Sequence, residues 1–208
     1  MYIPRFNQVT DRSLLLEVMG RYSFAMLIGP ADQAAPVATH LPLVVKDEGE
    51  HGVLEGHFAR ANPHWRSLAG QRTLVVFPGP HSYVSPTLYT EELSVPTWNY
   101  VAVHASGILR LIEEPEGKEE LLRELIAANE PRFLEKWQRM PDGYRRTMLA
   151  GIVGFRIPIA HIEGKFKLSQ KRNAVERQNV QAAHSSGSSD QQELAAWMRR
   201  LSSGSTHA

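Results

Sequence analysis

Hydrophobic and polar positions change period several times along the chain, and those changes set the elements. Leu14, Leu15, Val18 and Met19 recur at helical spacing behind Thr10 or Asp11, either of which can cap the helix, and Gly20 can end it. A compact apolar run at 22–28, stopped by Gly29-Pro30, reads as a strand. Residues 36–45 alternate, with Val37, Thr39, Leu41, Leu43 and Val45 on one face, so a half-buried strand is expected. A turn at Gly49 and a returning strand over 52–58 complete an antiparallel hairpin. A buried strand at 73–77 is expected to bend at a Pro78-Gly79-Pro80 turn. A long strand at 99–112 sets Val101, Val103 and Ala105 against Ala102, His104 and Ser106.

After Pro115 the period becomes helical, with Leu121, Leu122, Leu125 and Ile126 on one face. Pro131 and a Pro141-Asp142-Gly143 turn separate two more short helices, around 133–137 and 144–149, and strand alternation resumes over 152–162. A β-rich chain with a helical insert at about 115–150 is therefore expected, a mixed α+β protein with 1–183 as its main domain. The polar stretch 184–190 reads as a flexible linker, followed by a helix with Asp190 and Glu193 as its capping box and Leu194, Trp197, Met198 and Leu201 as its apolar face. Residues 184–208 thus form a linker, a helix and a frayed end over 202–208.

Composition narrows the chemistry. The 208 residues are 42% hydrophobic, enough for a core without staples, and the absence of cysteine excludes disulfides, Cys-ligated zinc, iron–sulfur clusters and thiol nucleophiles. A net charge of +1 gives no global field for DNA. The start lacks a signal-like apolar stretch and no apolar run approaches the roughly 18 residues of a membrane span, so a cytoplasmic protein without a membrane partner is expected. Nine histidines carry no HExxH or similar spacing, and no protein metal site is expected.

Chemistry concentrates in the segment 36–100, where aromatics, amides, hydroxyls and histidines sit among prolines and glycines, a composition suited to a flat polar ligand. Asn62 can cap a short helix with Pro63 at its first position, and a helix N-terminus beside Arg60 is an anion site. His81, Ser82, Tyr83 and Ser85 emerge together after the Pro-Gly-Pro turn, Trp98 can stack on a ring, and Asn99 can read its edge. Lys165, Lys167, Lys171 and Arg172 fall within eight residues and can meet a dianionic phosphate.

Four motifs in order, Gly56-His-Phe-Ala-Arg-Ala-Asn-Pro-His-Trp65, Phe77-Pro-Gly-Pro-His-Ser-Tyr-Val-Ser-Pro86, Val95-Pro-Thr-Trp-Asn-Tyr-Val-Ala-Val-His104 and Glu163-Gly-Lys-Phe-Lys-Leu-Ser-Gln170, resemble the PaiB family of FMN-binding negative transcriptional regulators. The resemblance covers most of 1–172. It implies a six-stranded antiparallel split β-barrel of the FMN-binding type with flanking and inserted helices, a homodimer, and FMN at the dimer interface. With FMN as the ligand, the candidate cofactor-binding residues are His57, Arg60, Ala61, Asn62, His64, His81, Ser82, Tyr83, Ser85, Thr97, Trp98, Asn99, Lys165, Lys167, Ser169 and Gln170. Two positions depart from the family pattern: Leu88 stands where a second tryptophan is common, and Lys171 where asparagine usually follows Leu-Ser-Gln. DNA contact is carried by the family alone. A flavin-dependent oxidoreductase using FMN with NAD(P)H or oxygen is the alternative, with His81 or Tyr83 positioning substrate. A dimeric scaffold without FMN is a third reading.

Overall fold

A computed structural model describes residues 1–30 and 35–203 of the chain. In chain order its elements are β1 (Gln8–Val9), α1 (Arg12–Arg21), β2 (Phe24–Gly29), β3 (Val37–Pro42), β4 (Val44–Lys46), β5 (Val53–Ala59), α2 (His64–Leu68), β6 (Arg72–Val84), β7 (Thr97–Ile108) and β8 (Arg110–Ile112). There follow α3 (Pro115–Asn129), α4 (Phe133–Arg139), α5 (Asp142–Ala150), β9 (Ile152–Lys167), α6 (Ala174–Ser185) and α7 (Ser189–Ser203). Hydrogen-bonded neighbours run β3-β2-β6-β7-β9-β5-β4, with β1 and β8 also on β9. The pairs of β2 with β3 and β6, of β4 with β5, and of β9 with β1, β5 and β8 are antiparallel.

Nine strands among the described residues stand where six were expected, and two of the extra ones come from breaks in a continuous alternation. The 36–45 run divides at Leu43, whose N–H donates to the Ser23 carbonyl at 3.0 Å, so that β3 joins β2 while β4 joins β5. The 99–112 run divides at Leu109, whose N–H donates to the Gln71 carbonyl at 3.1 Å. Both breaking residues stay buried, so the period of two continues through a change of partner.

Pro78-Gly79-Pro80 is not the expected turn; it lies inside β6. The register of β6 on β2 covers only Leu74 to Val76, so beyond Phe77 the missing proline N–H groups take no ladder bond from β2. Gly79 permits close approach: a Cβ there would lie 2.8 Å from the Val101 carbonyl oxygen.

The expected linker at 184–190 is instead the end of α6, a short turn and the start of α7. Asn173 caps α6, its Oδ1 accepting from the Glu176 N–H at 2.9 Å, and Val180 and His184 bury the inner face. The capping box of α7 is Ser188 with Gln191: the Ser188 N–H donates to Gln191 Oε1 at 2.8 Å and the Gln191 N–H to Ser188 Oγ at 3.4 Å. Asp190 is thereby released for another contact. Ser202 and Ser203 close α7, and the rest of the expected frayed end, 204–208, lies outside the described residues.

Two compact units are present, neither following the expected division at 183/184. One comprises Met1–Asp11, Pro78–Val103 and Glu163–Ala208; the other comprises Arg12–Phe77 and His104–Ile162. In the first, Val84, Val101, Phe166, Leu194 and Trp197 are buried, and the Trp197 ring meets Phe166 edge-on at 5.3 Å. In the second, Leu27, Leu54, Phe58, Phe77, Phe155 and Ile157 are buried, with Phe58 and Phe155 rings 5.0 Å apart. The α1 residues Leu14, Leu15, Val18 and Met19 join this core, as their helical spacing predicts.

Candidate functional site

Strand β9 ends at Lys167, and the pleat that buries Phe166 between Lys165 and Lys167 turns both lysines to the opposite face. With Thr97, Asn99, Ser169 and Gln170 they line one cavity of about 350 Å³ in the first unit. Six of the sixteen sequence-derived residues therefore converge there. Tyr2, Phe6, Tyr89, Lys171 and Arg172 complete its aromatic and cationic wall.

The cations of this wall are not equivalent. Arg172 lies 3.7 Å over the Tyr89 ring and within 3.5 Å of Glu91 and 3.8 Å of Glu176, so its charge is already balanced. Lys165 donates to the Tyr2 carbonyl at 2.9 Å and lies over the Tyr2 and Tyr100 rings; Lys167 donates to Thr97 Oγ1 and, at 2.7 Å, to the Trp98 carbonyl. Among the described residues neither lysine has a carboxylate within ion-pair reach. Burial, followed by the charge of Lys165, holds Lys167 below the ordinary lysine value. Two neighbouring cations without a counter-charge favour an anion between them.

Beside them Asn99, fully buried, faces Ser169 through two contacts, Nδ2 to Oγ at 3.0 Å and Oγ to Oδ1 at 3.1 Å. Ser169 holds φ at 62°, a left-handed backbone that non-glycine residues adopt at a cost of roughly 1–2 kcal/mol. Gln170 is fixed by its own backbone surroundings, Oε1 accepting from the Leu168 N–H at 2.8 Å and Nε2 donating to the Phe166 carbonyl. The rim is pinned by Glu176, whose Oε1 accepts from the Thr90 N–H at 2.9 Å, the Thr90 hydroxyl at 3.1 Å and the Glu91 N–H at 3.3 Å.

Three other expected residues form a separate exposed group in the same unit. The Trp98 ring lies 6.2 Å from His81 and 6.1 Å from Tyr83, and His81 Nδ1 lies 3.6 Å from Asp190 Oδ2. Ser82 and Ser85 serve their own backbone: Ser82 Oγ donates to the Tyr83 carbonyl at 3.1 Å, and Ser85 Oγ accepts from the Thr87 N–H at 3.2 Å.

The remaining five lie in the second unit. Asn62 Oδ1 accepts from the His64 N–H at 3.0 Å, but α2 starts at His64 with Pro63 as its N-cap rather than its first residue, and it is only five residues long. Arg60 differs from the free guanidinium expected at a helix N-terminus. Its Nε donates to the Ala150 carbonyl at 2.7 Å and its Nη2 to the Ile152 carbonyl at 3.0 Å, which ties the end of β5 to the start of β9. His64 is buried, with Nδ1 2.9 Å from Thr39 Oγ1, and burial lowers its pKa and that of His57. Ala61 is exposed.

Tyr2 and Phe6 escaped the sequence reading because pairing of β1 with Gly164 and Lys165 brings the N-terminus to the cavity across the length of the chain. Tyr89 and Arg172 carried a local signal, aromatic and cation, that only the Glu176 contacts bring together.

Comparison with known proteins identifies the family. The family described as Putative FMN-binding domain matches residues 1–161. The chain is 38% identical over 182 residues to the protease synthase and sporulation protein PAI 2 of Bacillus subtilis, covering 86% of this chain and 87% of that protein. Among solved structures it is similar to the flavocytochrome Anf3 from Azotobacter vinelandii, with TM-score 0.62, 15% identity, and 79% and 72% of the two chains covered. It is also similar to the FAD and heme binding protein from Mycobacterium smegmatis, with TM-score 0.60, 19% identity, and 88% and 81% covered. Both likenesses are of fold and agree with the α+β split-barrel class. The chain belongs to the FMN-binding domain family and is a PaiB-like member of it.

Proposed function

We propose that the protein binds FMN in the cavity of the first unit and acts as a PaiB-like negative transcriptional regulator, a homodimer with flavin at its interface. The observation that carries the flavin reading is the Lys165 and Lys167 pair, two cations without carboxylate partners on the wall of a cavity rich in aromatic rings and amides. The residues present fit the group. Lys165 and Lys167 hold the phosphate, Lys171 adds charge beside it, and Tyr2, Phe6 and Tyr89 supply apolar surface. Thr97, Asn99, Ser169 and Gln170 supply polar atoms at the edge. Bound FMN supplies reversible electron and hydride chemistry.

The regulatory and dimeric parts rest on kinship with PaiB. The exposed His81, Tyr83 and Trp98 group, with Asp190 beside His81, favours the second reading, a flavin-dependent oxidoreductase whose substrate meets those rings. One set of experiments separates the two. Sedimentation of the protein with and without FMN reports the dimer. Salt-sensitive binding to a promoter fragment without NAD(P)H turnover supports the regulator; FMN-dependent NAD(P)H oxidation without DNA binding overturns it in favour of the enzyme.

A further inference from the structure

We infer a second anion site in the other unit, taking a small organic phosphate, where Arg60, Lys118 and Arg146 line a cavity of about 410 Å³. Pro115, Leu149 and Ala150 supply the rest of the lining, and among the described residues no carboxylate belongs to it. The site shares no lining residue with the lysine cavity.

Several other cations of the unit are neutralised by carboxylates. Lys46 pairs with Glu55 at 3.0 Å and Glu124 at 2.8 Å, Arg156 with Glu48 at 3.3 Å, and Arg145 with Glu119 at 3.1 Å and Asp142 at 2.6 Å. Among the described residues Lys118 and Arg146 have no carboxylate within ion-pair reach. Asp142 feels the field of Arg146, but its carboxylate is bonded to Arg145.

Arg60 is preorganised for the same task. Two backbone carbonyls fix its guanidinium through Nε and Nη2, so it adds its charge to the cavity wall without the entropy of ordering a loose side chain. Three cations over an apolar lining select an anion attached to an apolar body rather than a bare inorganic ion.

Phenyl phosphate is the probe, titrated by calorimetry at low ionic strength into the full chain and into its Lys167→Ala variant, which weakens the lysine cavity as a phosphate holder. The site predicts saturable binding of one molecule per chain in the Lys167→Ala variant, tighter than inorganic phosphate and absent with phenol, with any further binding in the parent chain falling to the lysine cavity. Lys118→Ala, at a half-buried residue, and Arg146→Ala, at an exposed one, are each made in the Lys167→Ala background with far-UV circular dichroism as the fold control, and each weakens it by about tenfold, one charge-assisted hydrogen bond's worth. Absence of saturable heat overturns the inference, as does undiminished affinity in both variants. Loss of binding in Lys167→Ala alone also overturns it, because phosphate is then held by the lysine pair. Failure of FMN to bind leaves this result unaffected, so the two readings fail separately.

Discussion

Replacing Trp197 by alanine tests whether α7 is an integral part of the first unit. Trp197 is 3% exposed, its ring meets Phe166 edge-on at 5.3 Å, and Phe166 itself has no exposed surface. Truncating a buried tryptophan loses its transfer free energy and leaves a cavity, together about 3–5 kcal/mol. Domains of this size have roughly 5–15 kcal/mol in total, so the variant keeps a folded population with much of its margin gone. Urea denaturation followed by far-UV circular dichroism reads the change without relying on the fluorophore removed. With a slope of about 1–3 kcal/mol per molar, the midpoint falls by roughly 1–5 M. Trp197→Phe keeps an aromatic edge against Phe166 and costs less than half as much. Because Phe166 sits between Lys165 and Lys167, the alanine variant also binds FMN more weakly at urea concentrations where both proteins are folded. A loss below about 1 kcal/mol, with FMN affinity unchanged, refutes the account of α7 as a buttress of β9.

Lys167, held below 10.5 by burial and then by Lys165, binds phosphate only when protonated, so FMN affinity falls as pH rises through that lowered value; Lys167→Arg removes this alkaline limb in a titration series. Burial lowers the pKa of His57, His64 and His184 from 6.5, so stability is complete above 6.5 and declines as pH falls through the lowered folded values. His184→Leu, which removes a buried imidazole whose Nε2 has no hydrogen-bond partner among the described residues, flattens that acid limb in thermal melts from pH 7 to 5. Arg60→Gln loses the bonds to the Ala150 and Ile152 carbonyls and costs about 1 kcal/mol in urea denaturation. FMN affinity changes less than about threefold in this variant, and a loss beyond about tenfold returns Arg60 to the phosphate.

What could be read from the chain depended on how local the cause was. The buried faces of α1 and α7, the β4–β5 hairpin and the alternation of Val101, Val103 and Ala105 each follow from spacing within a few residues. Pro78-Gly79-Pro80 reads as a turn by local chemistry, and only the short register of β6 on β2 lets it stay extended. The polar surface of α6 hid Val180 and His184, whose burial depends on α7 returning along it. In the site, the Lys165 and Lys167 alternation was visible, whereas Tyr2 and Phe6 enter through β1 on β9, and Glu176 through contacts 86 residues away with Thr90. The anchoring of Arg60 was hidden because the carbonyls that hold it lie about ninety residues further along the chain.

The most direct test of the flavin cavity is a titration of FMN with the purified protein, followed by quenching of flavin fluorescence. Saturable quenching at one FMN per chain, weakened about tenfold or more by Lys167→Ala and by Lys165→Ala, is the predicted result. No quenching up to high micromolar FMN, or affinity in both lysine variants equal to that of the parent chain, contradicts it.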